Sequence, residues 1–308
     1  MMNKSILITG ANVGLGKETA RQLALKGTTE KIILACRNPQ KAQAAKTDLE
    51  ASTGRNIFDI VIMDVSDPDS VRKAVNALQE PVDAVVLNAG GMGGKTPGKL
   101  TPSGMNELAA TNILGHVVLV DELIKQEKLK NVVVLASSEA ARGIKKMGMH
   151  QPDLKTSSPD EFASILDGSY FGEKFDPMQA YGHVKYAATQ WMSSLSRKHP
   201  EIRFISMSPG ATSGTAITEE LPLINKIMFK YVMMPIVMPL QGMIHGLDKG
   251  AKRFVDGISD ASYKSGTFYA SKDGKVVGPV VDQSSFFGDL KNEEYQDNAY
   301  EAVYRFVS

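Results

Sequence analysis

The sequence predicts a doubly wound α/β fold, a parallel sheet with helices on both faces. Three observations predict it. Short apolar runs rich in Val and Ile recur between stretches with helical patterning. A glycine-rich turn joins the first run to the first helical stretch. The 308 residues contain no linker, repeat or low-complexity tract, so one domain over residues 1–308 is expected. Runs without polar alternation suit strands buried on both faces, which a parallel sheet between two helix layers requires.

The elements follow in order. Ile6-Leu7-Ile8 is the first strand and ends in Thr9-Gly10; Lys17 to Lys26 is the first helix. Lys31 to Cys36 is the second strand, and Pro39 to Ser52 favours helix. Phe58 to Met63 is the third strand, and Asp67-Pro68-Asp69-Ser70 caps a helix to about Gln79. Ala84 to Leu87 and Asn131 to Ala136 are the fourth and fifth strands, with a long helix from about Ser103 to Gln126 between them. Ile202 to Met207 is the sixth, and Gly266 to Ala270 makes about seven in all. The Gly90-Gly91-Met92-Gly93-Gly94 loop falls at the carboxyl edge of the sheet, where ligands bind in this class, a Rossmann-type arrangement. Two segments break the rhythm: an insert at about 143–178 and a Met-rich, Pro-interrupted stretch at about 213–247. Such excursions are usually functional, so the second is expected to act as a substrate lid.

Composition narrows the function. At 43% hydrophobic and 22% charged the chain is an ordinary globule, and its net charge of +1 leaves no basic excess for nucleic acid. A single cysteine, Cys36, excludes an internal disulfide. The apolar run near Met1 is too short for a signal segment, and charge or proline interrupts every long apolar stretch, so a cytoplasmic protein is expected. His116, His150, His199 and His245 form no pattern with carboxylates or cysteine, so no metal site is expected.

The turn Gly10-Ala11-Asn12-Val13-Gly14-Leu15-Gly16 reads as a phosphate cradle. Gly10 turns the chain, Gly14 leaves the backbone open to a pyrophosphate, and Gly16 lets helix and strand pack closely. Free N–H groups at the helix start then face the anion. Arg37 stands after the second strand, where dinucleotide folds meet the adenosine ribose, and an arginine there suits the 2′-phosphate of NADP(H). Asp64-Val65 follows the third strand and is placed for the adenine edge. Asn88-Ala89-Gly90 follows the fourth, with Asn88 able to tie strands and the small pair clearing room for a cofactor. Tyr181 and Lys185, four apart on a helix, share a face; an ammonium beside a phenol favours phenolate, so Tyr181 is expected to titrate below its usual value. Ser138, after the fifth strand, is placed to reach the same oxygen.

Together these residues resemble the short-chain dehydrogenase/reductase family over nearly the whole chain. Thr9 to Gly16 is similar to its TGxxxGxG turn, Asn88-Ala89-Gly90 to its NAG, Tyr181-x-x-x-Lys185 to its YxxxK, and Pro209-Gly210 to its PG turn beside the nicotinamide. The resemblance implies catalytic roles. Tyr181 is the acid/base, Lys185 lowers its pKa and binds the nicotinamide ribose, Ser138 holds the substrate oxygen, and Asn112 supports a water relay. The usual carboxamide threonine is replaced by Gly214, so Thr212 or Thr215 is expected to serve. Ile33 to Arg37, the insert and Lys264 to Tyr269 resemble retinol dehydrogenases and light-dependent protochlorophyllide oxidoreductases. The latter carry a cysteine after the PG turn and lack the usual serine, whereas this chain has Ala211 and keeps Ser138. The expectation is an NADP(H)-dependent interconversion of carbonyl and alcohol on a bulky hydrophobic substrate, held in a pocket shaped by the insert and the Met-rich stretch. The alternatives are C=C reduction and a non-catalytic NADP(H) sensor. Lys226 and Lys230 beside apolar residues could flank a face for membrane-surface contact, and the family's habit of pairing through long helices leaves a homo-oligomer open.

Overall fold

The computed structural model describes residues 3–173, 175–213 and 243–307. Most of the expected lid, with Gly214, Thr215, Lys226 and Lys230, lies outside the described residues.

Eight strands form one sheet in the order β3-β2-β1-β4-β5-β6-β7-β8. They are β1 (Ser5–Thr9), β2 (Lys31–Cys36), β3 (Phe58–Ile62), β4 (Val82–Leu87), β5 (Leu129–Ala136), β6 (Arg203–Met207), β7 (Thr267–Ser271) and β8 (Val280–Asp282). All neighbours pair in parallel except β7 and β8. The strand order reverses between β1 and β4, and a crevice for ligand opens at such a switch point beyond the carboxyl ends. Strand β8 goes beyond the seven expected. It has three residues, none of them buried, so no hydrophobic pattern announced it.

Continuous apolar runs arise because alternate side chains enter two different cores. Leu7, Val85, Val133 and Leu135 face one, and Ile6, Ile8, Val86 and Val134 face the other. The second core is closed by α1 (Gly14–Leu25), α2 (Pro39–Thr53) and α8 (Leu247–Ser259), through Leu23, Leu49 and Phe254. The first takes α3 (Pro68–Ala77), α4 (Glu107–Ala109), α5 (Gly115–Lys125), α6 (Pro159–Asp167), α7 (Pro177–Lys198) and α9 (Glu293–Tyr304). Asp67 caps α3 as the sequence predicts, its side chain accepting from the Asp69 N–H at 3.0 Å. The long helix before β5 is interrupted: a π-helical turn, Ala110–Leu114, joins α4 to α5.

One part of the insert joins the core. Phe162, Ile165 and Leu166 of α6 are fully buried in the core shared with α7 and α9 and do not line a pocket. Phe162 stacks on Tyr186 with ring centres 5.9 Å apart. An apolar helix beside a large core gains more by joining it than by facing a water-filled cleft. A cavity of about 590 Å³ does border the insert, at Gly168, Phe175 and Phe306, but none of the expected site residues lines it.

Candidate active site

The glycine turn leans on the end of β2, the Gly10 N–H donating to the Ala35 carbonyl at 2.8 Å. A Cβ on Gly16 would lie 2.6 Å from both the Gly10 carbonyl oxygen and Asn88 Nδ2, so only glycine allows this approach. Gly14 has φ +59, and a Cβ there would meet nothing within 4 Å. The start of α1 has no side-chain cap, whereas Asn38, Asp67, Ser158, Asp176 and Asn292 cap the starts of α2, α3, α6, α7 and α9. Open space over uncapped N–H groups fits a phosphate. Of the remaining turn residues, Asn12 is half-buried, Val13 is exposed, and Leu15 packs toward the second core.

Asn88 ties β4 to β1. Its Nδ2 donates to the Thr9 carbonyl at 2.9 Å, and the Asn88 and Ala89 N–H groups both donate to Thr9 Oγ1 at 2.9 Å. Arg37 leaves β2 with its side chain 77% exposed; its nearest anion is Asp64, with Nε 3.9 Å from Oδ2. The other Asp64 oxygen accepts from the Ser66 N–H and hydroxyl. The Val65 carbonyl faces Gly115 at the start of α5 so closely that a Cβ there would clash.

Asp176 caps α7, with Pro177 in its first turn, and this sets Tyr181 and Lys185 in the second and third turns. Ser138 stands at the end of β5 as the cap of a short 3₁₀ turn, Glu139–Arg142, accepting from the Ala140 N–H at 3.2 Å. That hydroxyl lies close enough to the Tyr181 phenol to favour its ionised form. Lys185 is buried and donates to the Ala136 carbonyl at 2.8 Å. Asn112 sits in the π turn; its Nδ2 donates to the Gly91 and Leu108 carbonyls at 2.7 and 2.8 Å. A Cβ on Gly90 would lie 2.6 Å from Asn112 Oδ1 and 3.7 Å from Lys185 Nζ, so Gly90, Asn112 and Lys185 converge. The four residues expected to be catalytic are thus brought to the carboxyl edge of β4 and β5.

The electrostatics correct one expectation. Burial pushes the Tyr181 phenol up to about 12; the nearby Ser138 hydroxyl opposes this, and the Glu139 carboxylate adds to the rise. Lys185 does not reverse it, because its ammonium bonds to Ala136 and lies over the ring, 5.6 Å from the centre. Burial draws Lys185 itself down to about 8.

Pro209 and Gly210 follow β6, with Gly210 at φ +77. Thr212 is buried, and its hydroxyl donates to the Gly210 carbonyl at 3.0 Å. Sequence reasoning passed over four residues here. His245 lies against the Pro209 carbonyl, Nε2 to oxygen 2.8 Å. His116, held down to about 3 by burial and the Lys185 charge, spans Thr9 Oγ1 and the Asn112 carbonyl. Glu139 and Arg253 form a buried ion pair, Nη1 to Oε1 3.3 Å. Glu139 carries a visible signal, a carboxylate next to Ser138 at the end of β5. Its partner 114 residues away carries none. Among the described residues no group of three or more His, Cys, Asp or Glu side chains is arranged to hold a metal.

Residues 4–149 match the short chain dehydrogenase family. Dehydrogenase/reductase SDR family member 12 of Bos taurus is 30% identical over 225 residues, which cover 71% of this chain and 64% of that protein. Protochlorophyllide reductase B of Hordeum vulgare is 28% identical over 284 residues, covering 86% of this chain and 69% of that protein. The chain therefore spans about two thirds of the length of these relatives. L-sorbose reductase from Gluconobacter frateurii, solved with NADPH and L-sorbose, shares the fold with a TM-score of 0.65 at 18% identity, over 90% of this chain and 97% of that one.

Proposed function

From the match of residues 4–149 to the short chain dehydrogenase family and the likeness to dehydrogenase/reductase relatives, we propose that this chain is an NADP(H)-dependent oxidoreductase interconverting a carbonyl and an alcohol on a bulky hydrophobic substrate. The observation that carries the reading is the convergence of four groups: the Lys185 ammonium over the Tyr181 ring, Asn112 and Lys185 both against Gly90, and the Ser138 hydroxyl near the phenol. A carbonyl oxygen placed between the two hydroxyls accepts from both. Tyr181 gives its proton to that oxygen in reduction and takes it back in oxidation, while Ser138 holds the oxygen in place. The bound nicotinamide supplies or accepts the hydride. Lys185, a cation below about pH 8, faces the ribose and offsets negative charge that develops on Tyr181. Gly10, Gly14, Gly16 and the uncapped start of α1 would hold the pyrophosphate, and exposed Arg37 the 2′-phosphate.

Met147 and Met178 support the bulky substrate. They are 39% and 41% exposed, and they flank a clip in which Gln179 Nε2 donates to the Gly148 carbonyl at 2.7 Å. Two flexible apolar side chains then stand at the start of the helix that carries Tyr181.

The test is NADPH consumption with retinal, decalones and steroid ketones against acetone-sized carbonyls, alongside Tyr181→Phe. Turnover with a lower KM for the bulky compounds, lost in the variant while NADPH still binds, is the expected result. Turnover retained in Tyr181→Phe refutes the acid/base role. Likeness to a protochlorophyllide reductase over 86% of the chain favours a second reading, reduction of an activated C=C bond. Enone products that keep their carbonyl would establish it.

A further inference from the structure

The Glu139 carboxylate is 3% exposed and joins four parts of the chain. One oxygen accepts from the Ser208 hydroxyl at the end of β6. The other accepts from the Ser271 hydroxyl and N–H at the end of β7, at 2.9 and 3.2 Å, and from Arg253 of α8 at 3.3 Å. Arg253 completes the knot, donating to the Ser208 carbonyl at 2.9 Å, Ser271 Oγ at 2.9 Å and the Gly278 carbonyl at 2.8 Å. Ser208 Oγ in turn accepts from the Gly210 N–H at 3.1 Å. A continuous path therefore runs from the residue after Ser138, through one carboxylate, to the Pro209-Gly210 turn.

A structural ion pair has no need to sit there. Burying two charges seldom adds net stability, since desolvation offsets the attraction. This pair instead links the turn that begins at Ser138 to the Pro209-Gly210 turn after β6. Resting on the reading above, we propose that Glu139 is a positioning residue: held by Arg253, it sets the Ser138 hydroxyl and the Pro209-Gly210 turn in register beside Tyr181. The groups facing Glu139 are Arg253 of α8, Arg142 of its own turn, His245 before α8, and Tyr181 of α7. Of these only Tyr181 carries the reacting proton.

Three variants test it: Glu139→Gln, Glu139→Asp and the double variant Glu139→Gln/Arg253→Gln, which leaves no buried charge alone. Two readouts are taken. The first is the ultraviolet titration of Tyr181 in cofactor-free protein, obtained by subtracting the Tyr181→Phe form of each background; it needs no turnover and stands even if no carbonyl is reduced. The second is kcat with the KM for NADPH. Glu139→Gln should lower the Tyr181 midpoint and reduce kcat at least tenfold, with KM changing less than threefold. Glu139→Asp, which keeps the charge and shortens the reach, should retain the midpoint and still lose kcat. If Glu139→Gln does not fold, the double variant carries the same two readouts. A midpoint unmoved on removing the charge overturns the proposal, as does a kcat within twofold of wild type in the folded variants.

Discussion

The Lys185 ammonium lies 5.6 Å from the centre of the Tyr181 ring and gives a hydrogen bond to the Ala136 carbonyl 2.8 Å away, so it stands over the ring and not against the phenol oxygen. Burial therefore dominates Tyr181 and raises it to about 12. In the cofactor-free protein Tyr181 should stay neutral through pH 9. The difference titration between wild type and Tyr181→Phe should show a midpoint near 12; a midpoint below 9 would show that the lysine governs the phenol after all.

Lys185 has its own linkage. Its folded pKa, about 8, is below the ~10.4 of an unfolded lysine, so the folded state releases its proton first. The destabilisation is full below pH 8 and is relieved as pH rises from 8 toward ~10.4. Lys185→Met should thus be more stable than wild type at pH 7, by about 3 kcal/mol at most, and the difference should shrink by pH 10. Denaturant midpoints at the two pH values check this. A gap that widens with pH would reverse the sign.

Much of this site was legible before any coordinates. Glycine spacing, the apolar runs and the Tyr181/Lys185 interval are local signals, and local signals survive folding. What was not legible depends on distant partners. Four-residue spacing places Lys185 on the Tyr181 face but says nothing of Ala136, which takes its hydrogen bond. Phe162 reads as apolar in either a pocket wall or a core, and only the packing of α6 against α7 and α9 decides. Glu139 and Arg253 are 114 residues apart, beyond any periodicity.

Arg37 is held by one exposed contact, 3.9 Å from Asp64, which is worth little and leaves the guanidinium available. A charge-assisted pair to a 2′-phosphate contributes about 1.5–3 kcal/mol. NADPH should therefore bind at least ~10-fold tighter than NADH, and Arg37→Asp should reverse the order. Equal dissociation constants for the two dinucleotides would sink the assignment.

Gly14 and Gly16 should fail in different ways. A Cβ on Gly16 meets backbone and Asn88 at 2.6 Å, so Gly16→Ala should lose stability and NADPH binding together. At Gly14 the space is open and only the φ of +59 resists, so alanine there should cost about 1–2 kcal/mol. Yet its methyl would occupy the place offered to the pyrophosphate. NADPH affinity should fall at least ~10-fold in Gly14→Ala while the protein remains folded. Unchanged affinity would remove the phosphate from that spot.

Phe162 separates a core role for the insert from a pocket role. Its ring is fully buried, stacked on Tyr186, which itself stacks on Phe287 with centres 5.2 Å apart. Removing it leaves a cavity that three packed elements cannot close, so Phe162→Ala should destabilise by about 3–5 kcal/mol. The folded fraction should keep its KM for the best carbonyl within threefold, because the ring touches core and no substrate. If instead stability holds and KM rises by an order of magnitude, the insert lines the pocket, and the packing of α6 would have to open for substrate to enter.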